Sequence, residues 1–217
     1  MSIINSFFRK YYNLYNRKRL HHTDITLISS NCNGGCILSD LHLRFNSPFV
    51  NLWLPPKDFL KFCENMEHYL NCDLKFIPEN VGGGNYPVGI LDDIKIYFQH
   101  YATAEEAANL WDKRKQRIDK NHIYILFSDR DGCTYEDLLK FDQLKYPHKI
   151  VFCSKKYKEI KSAYYIPGFE GQDCVGICSA YKNRFTYKKY YDAFDYVSWF
   201  NAAGSPKHIP RHMLKKD

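Results

Sequence analysis

Apolar residues along this chain come in short runs separated by longer stretches of mixed polarity, and two periods alternate along it. Ile25 to Ser30 and Phe49 to Leu54 read as buried strands. Pro55 and Pro56 then open a helix in which Phe59, Leu60, Cys63, Met66, Tyr69 and Leu70 share a face. Leu74 to Ile77 reads as a further short strand, and the glycines of "ENVGGGNYPVG" mark a loop. After it "ILDDIKIYFQHY" alternates, with Ile94, Ile96, Phe98 and His100 on one side and Lys95, Tyr97, Gln99 and Tyr101 on the other. Thr103 and Glu106 have capping-box spacing and start a helix that runs to about Ile118. A strand from His122 to Phe127 follows. Thr134 and Asp137 repeat the cap signal for a helix through Leu144, and the apolar "KIVFC" closes the series.

Strands alternating with crossover helices predict an α/β fold: a mainly parallel, Rossmann-like sheet with helices on both faces. Residues 88 to 101 or 163 to 169 are the expected antiparallel edge strands. No repeat or linker interrupts residues 23–203, which read as one α/β domain. A basic aromatic N-terminal arm over 1–22 precedes it and a basic tail over 204–217 follows.

Composition narrows the class. With 217 residues, 45% hydrophobic and 17% aromatic, the chain can bury a substantial core. Its apolar runs fall far short of the roughly 18 to 20 residues that cross a bilayer. The N-terminus has no long apolar region and no small-residue cleavage site, so a cytoplasmic location is expected, with attachment to the inner face of the membrane as a variant. Eight cysteines without a regular framework fit reduced thiols. The net charge of +7 gathers at the two ends and around Lys182 to Lys189, and no nucleic-acid motif accompanies it, so nucleic acid is not an expected partner. In the arm, Ile4, Phe7 or Phe8, Tyr11 and Leu14 or Tyr15 recur at helical spacing among Arg9, Lys10, Arg17, Lys18 and Arg19. Such a helix either packs on its own domain or a second subunit, or lies on an anionic membrane surface.

Ligands of open α/β sheets sit beyond the carboxyl ends of parallel strands. "SSNCNGGC" follows one such strand and "FSDRDGCT" another, so both are expected at one edge. Gly34 and Gly35 permit close backbone approach, to a ligand or within a tight turn, and amides at the next helix start could hold a phosphate or an oxyanion. Cys32 is the candidate nucleophile and His100 the candidate base, with His42 a second choice; simple packing is the competing account of each. Asn31, Asn33, Gly34, Gly35, Ser47, Asn51 and Arg130 are the candidate donor- and substrate-binding residues, Arg130 for phosphate. Asp129 and Asp131 end an apolar strand as Asp-x-Asp, which suits a divalent ion with a sugar-nucleotide diphosphate, or else caps the next helix. Cys32 and Cys36, with Cys174 and Cys178, lack the compact pairs of a structural zinc site. Asp40 and Arg44, four apart, predict an ion pair on a helix.

The blocks "SSNCNGGCILSDLHLRFNSPFVNLWL", "YPVGILDDIKIYFQHY", "FSDRDGCTYEDLLKFDQL" and "FDYVSWFN" resemble, over residues 25–201, a bacterial family of unknown biochemical function labelled exopolysaccharide biosynthesis protein. That resemblance implies a part in making a surface polysaccharide, with a saccharide or polysaccharide precursor as partner. Asn31 to Gly35 also resembles the Asn-Cys motif of coenzyme A-dependent polysaccharide acetyltransferases, which implies a coenzyme A thioester donor. "DRDGCT" is similar to the first motif of haloacid-dehalogenase-type phosphatases, but no matching acidic metal motif follows. The resulting expectation is a transferase that modifies a surface polysaccharide or its precursor by acyl transfer. A metal-dependent glycosyltransferase using Asp129 and Asp131, and a non-enzymatic sugar-binding or assembly protein, are the alternatives.

Overall fold

The structure is a computed structural model that describes residues 3–77 and 86–202; most of the glycine-rich loop and the whole basic tail lie outside the described residues. Its elements are α1 (Ile3–Arg19), β1 (Thr26–Ser29), α2 (Asn33–Asp40), α3 (Pro56–Glu64), α4 (Met66–Asn71), β2 (Lys75–Ile77), β3 (Val88–Leu91), β4 (Ile94–Tyr97), α5 (Ala104–Lys115), β5 (Ile123–Ser128), α6 (Tyr135–Gln143), β6 (Lys149–Cys153), β7 (Ala163–Tyr165), a 3-10 turn (Tyr190–Ala193) and α7 (Tyr196–Asn201).

β1, β5, β6 and β7 form a four-stranded sheet in that order, every pairing parallel. The expected parallel α/β layer is therefore present. Two details differ from the sequence reading. The antiparallel strands β2, β3 and β4 make a second sheet of their own, and β7 joins β6 in parallel. Residues 49–54 do not form a regular strand; they bridge the two sheets. Trp53 and Tyr97 exchange two backbone hydrogen bonds of 2.9 Å, and the Leu54 amide donates to the Ser30 carbonyl at 3.0 Å.

β1, β5 and β6 are buried almost throughout because both faces of the sheet are covered there. Ile28, Ile125, Phe127, Val151 and Cys153 point into a core shared with Phe59 and Phe62 of α3, Trp111 of α5 and Phe141 of α6. Leu27, Tyr124, Leu126, Ile150 and Phe152 point the other way, onto Ile37 and Leu38 of α2 and Trp199 and Phe200 of α7. Burying each large side chain contributes about 1.5–3 kcal/mol. The predicted caps also form: Thr103 Oγ1 accepts the Glu106 amide at 3.1 Å, and Thr134 and Asp137 complete a reciprocal capping box.

α1 packs on the carboxyl-terminal part of the chain through its polar side. Buried Arg9 pairs with Asp192 at 2.5 Å and with Asp40, Asn16 donates to the Tyr196 hydroxyl at 3.1 Å, and Arg19 pairs with Asp195 at 2.5 Å. Burial works against the Arg9 charge, but Asp192 outweighs it and holds the guanidinium firmly protonated. Asp40 thus does not pair with Arg44. α2 stops at Asp40, and His42 turns the chain with φ +53°, so the helical spacing that would join Asp40 to Arg44 ends there. Asn13 and Lys189 reach Asp40 at 3.0 Å each, and the Tyr191 hydroxyl also donates to it.

Candidate functional site

The loops that leave β1 and β5 meet at the carboxyl edge of the sheet, where Asn31 Nδ2 donates to Ser128 Oγ at 2.9 Å. Serines gather at this edge, at or just past the ends of three parallel strands. Ser29 ends β1 with Ser30 just beyond it, Ser128 ends β5, and Ser154 follows β6. A small hydroxyl both satisfies nearby backbone groups and leaves room for a close helix.

That room is used by the two glycines. A methyl at Gly34 would stand 2.6 Å from Ser29 Cβ, and one at Gly35 3.3 Å from Val50 Cγ1. Both glycines are buried in α2. Close packing of the helix on β1 and on residues 50–51 explains them, and neither lies in a positive-φ turn. The helix start is also partly closed to a ligand: the Asn33 amide donates to Asn31 Oδ1 at 3.1 Å and the Gly34 amide to Ser29 Oγ at 3.3 Å. Asn33 itself is buried.

Cys32 caps α2 without a side-chain cap bond and is half-buried. Burial pushes its thiol up to about 11, Cys36 adds to the rise, and Arg130 opposes it. Burial thus favours the protonated thiol over the thiolate at neutral pH. Arg130 stands half-exposed on the same rim and gives one N–H to the Gly176 carbonyl at 3.3 Å.

Asp129 is differently engaged. Its buried carboxylate accepts the Val175 amide at 2.7 Å on one oxygen and the Ser154 amide at 2.8 Å on the other. Burial raises its pKa above the ordinary 3.8 even against those two amides. Asp131 lies exposed in a turn with φ +61°. Both Asp129 oxygens are thus engaged in holding the chain together, and Asp131 stands apart from them in solvent. Among the described residues no group of three or more His, Cys, Asp or Glu is placed to bind a metal. Cys133, Cys153, Cys174 and Cys178 lie within electrostatic reach of Asp129; burial and then, for each, its charge among others raise their thiols, so these behave as packing groups.

His100 lies off the apolar face on which alternation placed it. β4 ends at Tyr97, where Trp53 pairs, and the chain then turns, leaving His100 exposed with its amide 3.4 Å from the Asn51 carbonyl. Asn51, at φ +60°, borders Gly35, so His100 and Asn51 flank the α2 side of the rim. Ser47 is fully buried: its hydroxyl donates to the Leu27 carbonyl at 2.5 Å and accepts the Phe49 amide at 3.3 Å, a structural duty. The residue missed in the sequence is Ser128, and the serine that ends an apolar strand there, as Ser29 does in β1, was the signal. A cavity of about 410 Å³ lined by Cys63, Lys140, Gln143 and Tyr146 opens instead at the amino end of β6, away from this rim.

The family model described as "Domain of unknown function (DUF1919)" matches residues 3–201. An uncharacterized protein of Haemophilus influenzae is 44% identical over 202 residues, which cover 93% of this chain and 96% of that protein.

Proposed function

This chain belongs to the DUF1919 family, and we propose that it is a transferase that modifies a bacterial surface polysaccharide or its precursor by acyl transfer, binding a phosphate-bearing thioester donor at the carboxyl rim. The polysaccharide half of this proposal comes from the four sequence blocks; the donor half comes from the rim. One observation carries it: the Asn31–Ser128 hydrogen bond makes the β1 and β5 loops one surface, with Cys32 and Arg130 within electrostatic reach of each other. Coenzyme A fits this surface in one respect, a half-exposed guanidinium able to meet phosphate. When bound, the thioester would supply an activated acyl carbonyl. Arg130 would hold the donor's phosphate and the protonated Cys32 would form the wall beside it. His100, exposed beyond Asn51, would take the proton of the saccharide hydroxyl as its oxygen attacks the acyl carbon and the carbon–sulfur bond breaks.

Thermal melting with acetyl-coenzyme A, and separately with sugar nucleotides with and without manganese, tests this. At a hundred times the dissociation constant a ligand stabilises by about 2.7 kcal/mol, a rise of roughly 5–10 °C for a chain of this size. Acetyl-coenzyme A should give that rise in the wild type and little of it in Arg130→Ala. A rise with sugar nucleotide and manganese alone would overturn acyl transfer in favour of glycosyl transfer.

A further inference from the structure

The amphipathic helix α1 is folded with its polar side in. Asn5, Arg9 and Asn16 are buried, while Phe7, Phe8, Tyr11, Leu14 and Tyr15 are between 46 and 59% exposed. Phe7, Tyr11, Leu14 and Lys18 recur at intervals of four, three and four and so line one ridge. A helix serving only its own domain has the opposite arrangement. The loop at 183–187 widens the ridge into a patch. Asn5 Nδ2 donates to the Arg184 carbonyl at 2.6 Å, Phe8 stacks on Tyr187 with ring centres 6.0 Å apart, and Phe185 projects 78% exposed beneath the Arg184 guanidinium.

The charge around these rings has one sign. Residues 1–23 contain five Lys or Arg and residues 174–191 contain four, and neither segment contains an Asp or Glu. Arg9 and Arg19 are committed to Asp192 and Asp195, whereas Lys10, Lys18 and Arg184 stand exposed among the rings.

We propose that this face docks on an anionic lipid bilayer, α1 lying flat with its aromatic ridge at the headgroup boundary and Lys10, Lys18 and Arg184 against the lipid charges. A second copy of the chain would set one cationic patch against another. A convex helical ridge also fits a plane better than a groove. Among the described residues no helix is long and apolar enough to cross a membrane, so the contact is interfacial. Neither the donor nor the reaction enters this inference.

Co-sedimentation of the full chain with vesicles of phosphatidylcholine alone, or with about one third phosphatidylglycerol, tests it. Binding is expected to the anionic vesicles and to be weak on the neutral ones. Phe7→Ser with Phe185→Ser, both exposed and checked for an unchanged melting temperature, should weaken it about tenfold or more. Lys10→Gln with Lys18→Gln should weaken it about fivefold per charge. Absence of binding to anionic vesicles, wild-type binding by the serine variant, or a dimer in light scattering that the serine substitutions dissociate would each overturn the proposal.

Discussion

The carboxylate of Asp129 accepts the Val175 amide at 2.7 Å, and so ties the end of β5 to a loop 46 residues further on. Its other oxygen holds Ser154 beyond β6. Asp129→Asn replaces one acceptor by an NH2 group facing an amide donor. The variant should lose about 1–3 kcal/mol in urea unfolding. A wild-type midpoint in Asp129→Asn would show that these bonds do not stabilise the edge.

Gly34 and Gly35 are adjacent in α2 but differ in their surroundings. A Cβ at Gly34 meets a strand residue, Ser29, at 2.6 Å, whereas at Gly35 it meets the end of the Val50 side chain at 3.3 Å. Gly34→Ala should therefore cost about 1–3 kcal/mol by overpacking, and Gly35→Ala distinctly less. Denaturant midpoints of the two variants, measured side by side, rank them; the reverse order would refute the close approach of α2 to β1.

With its pKa pushed up to about 11, Cys32 should alkylate slowly at neutral pH. The rate should climb about tenfold for each pH unit from 7 to 10 without levelling off. Iodoacetamide labelling followed by peptide mass spectrometry reads this directly, and a plateau below pH 9 would mark an activated thiolate.

Arg9→Met strips the shared cation from Asp192 and Asp40, both enclosed by α1. Breaking such a buried pair costs about 3–5 kcal/mol. In the wild type, burial raises the Asp40 pKa, but the Tyr191 hydroxyl, Arg9 and Lys189 together bring it below its ordinary 3.8. A depressed carboxylate stabilises the fold above pH 3.8 and loses that contribution as pH falls through the folded value. Urea midpoints between pH 2 and 7 should thus show the Arg9→Met deficit at neutral pH and a smaller gap between variant and wild type below pH 3.8.

The strands β1, β5 and β6 and the helix caps were readable because their signals are local: a short apolar run, or Thr followed three residues on by an acid, as at Thr134 and Asp137. The shared rim was readable too, through the rule that places loops at strand carboxyl ends. Roles that depend on distant partners were not. That Asp129 ties Val175 and Ser154 to the end of β5 has no signal near it in the sequence. Asp40 looks paired to Arg44 until α1 folds back with Arg9. His100 continues an alternating pattern that β4 abandons at Tyr97, because Trp53 arrives there from a segment more than forty residues earlier.

The inward side of α1 sets an order of events during synthesis. Its partners Arg184, Asp192, Asp195 and Tyr196 lie 176 to 183 residues downstream of the groups that bind them. At roughly 5–20 residues per second, α1 waits on the order of 10–40 seconds after its own synthesis for them to appear. Until then Asp40 of α2, which takes Arg9 and Asn13, is the polar partner already made, and the aromatic ridge is bare. α1 is consequently made well before most of the groups that lock it, and a chain truncated before residue 192 lacks its Asp192, Asp195 and Tyr196 contacts.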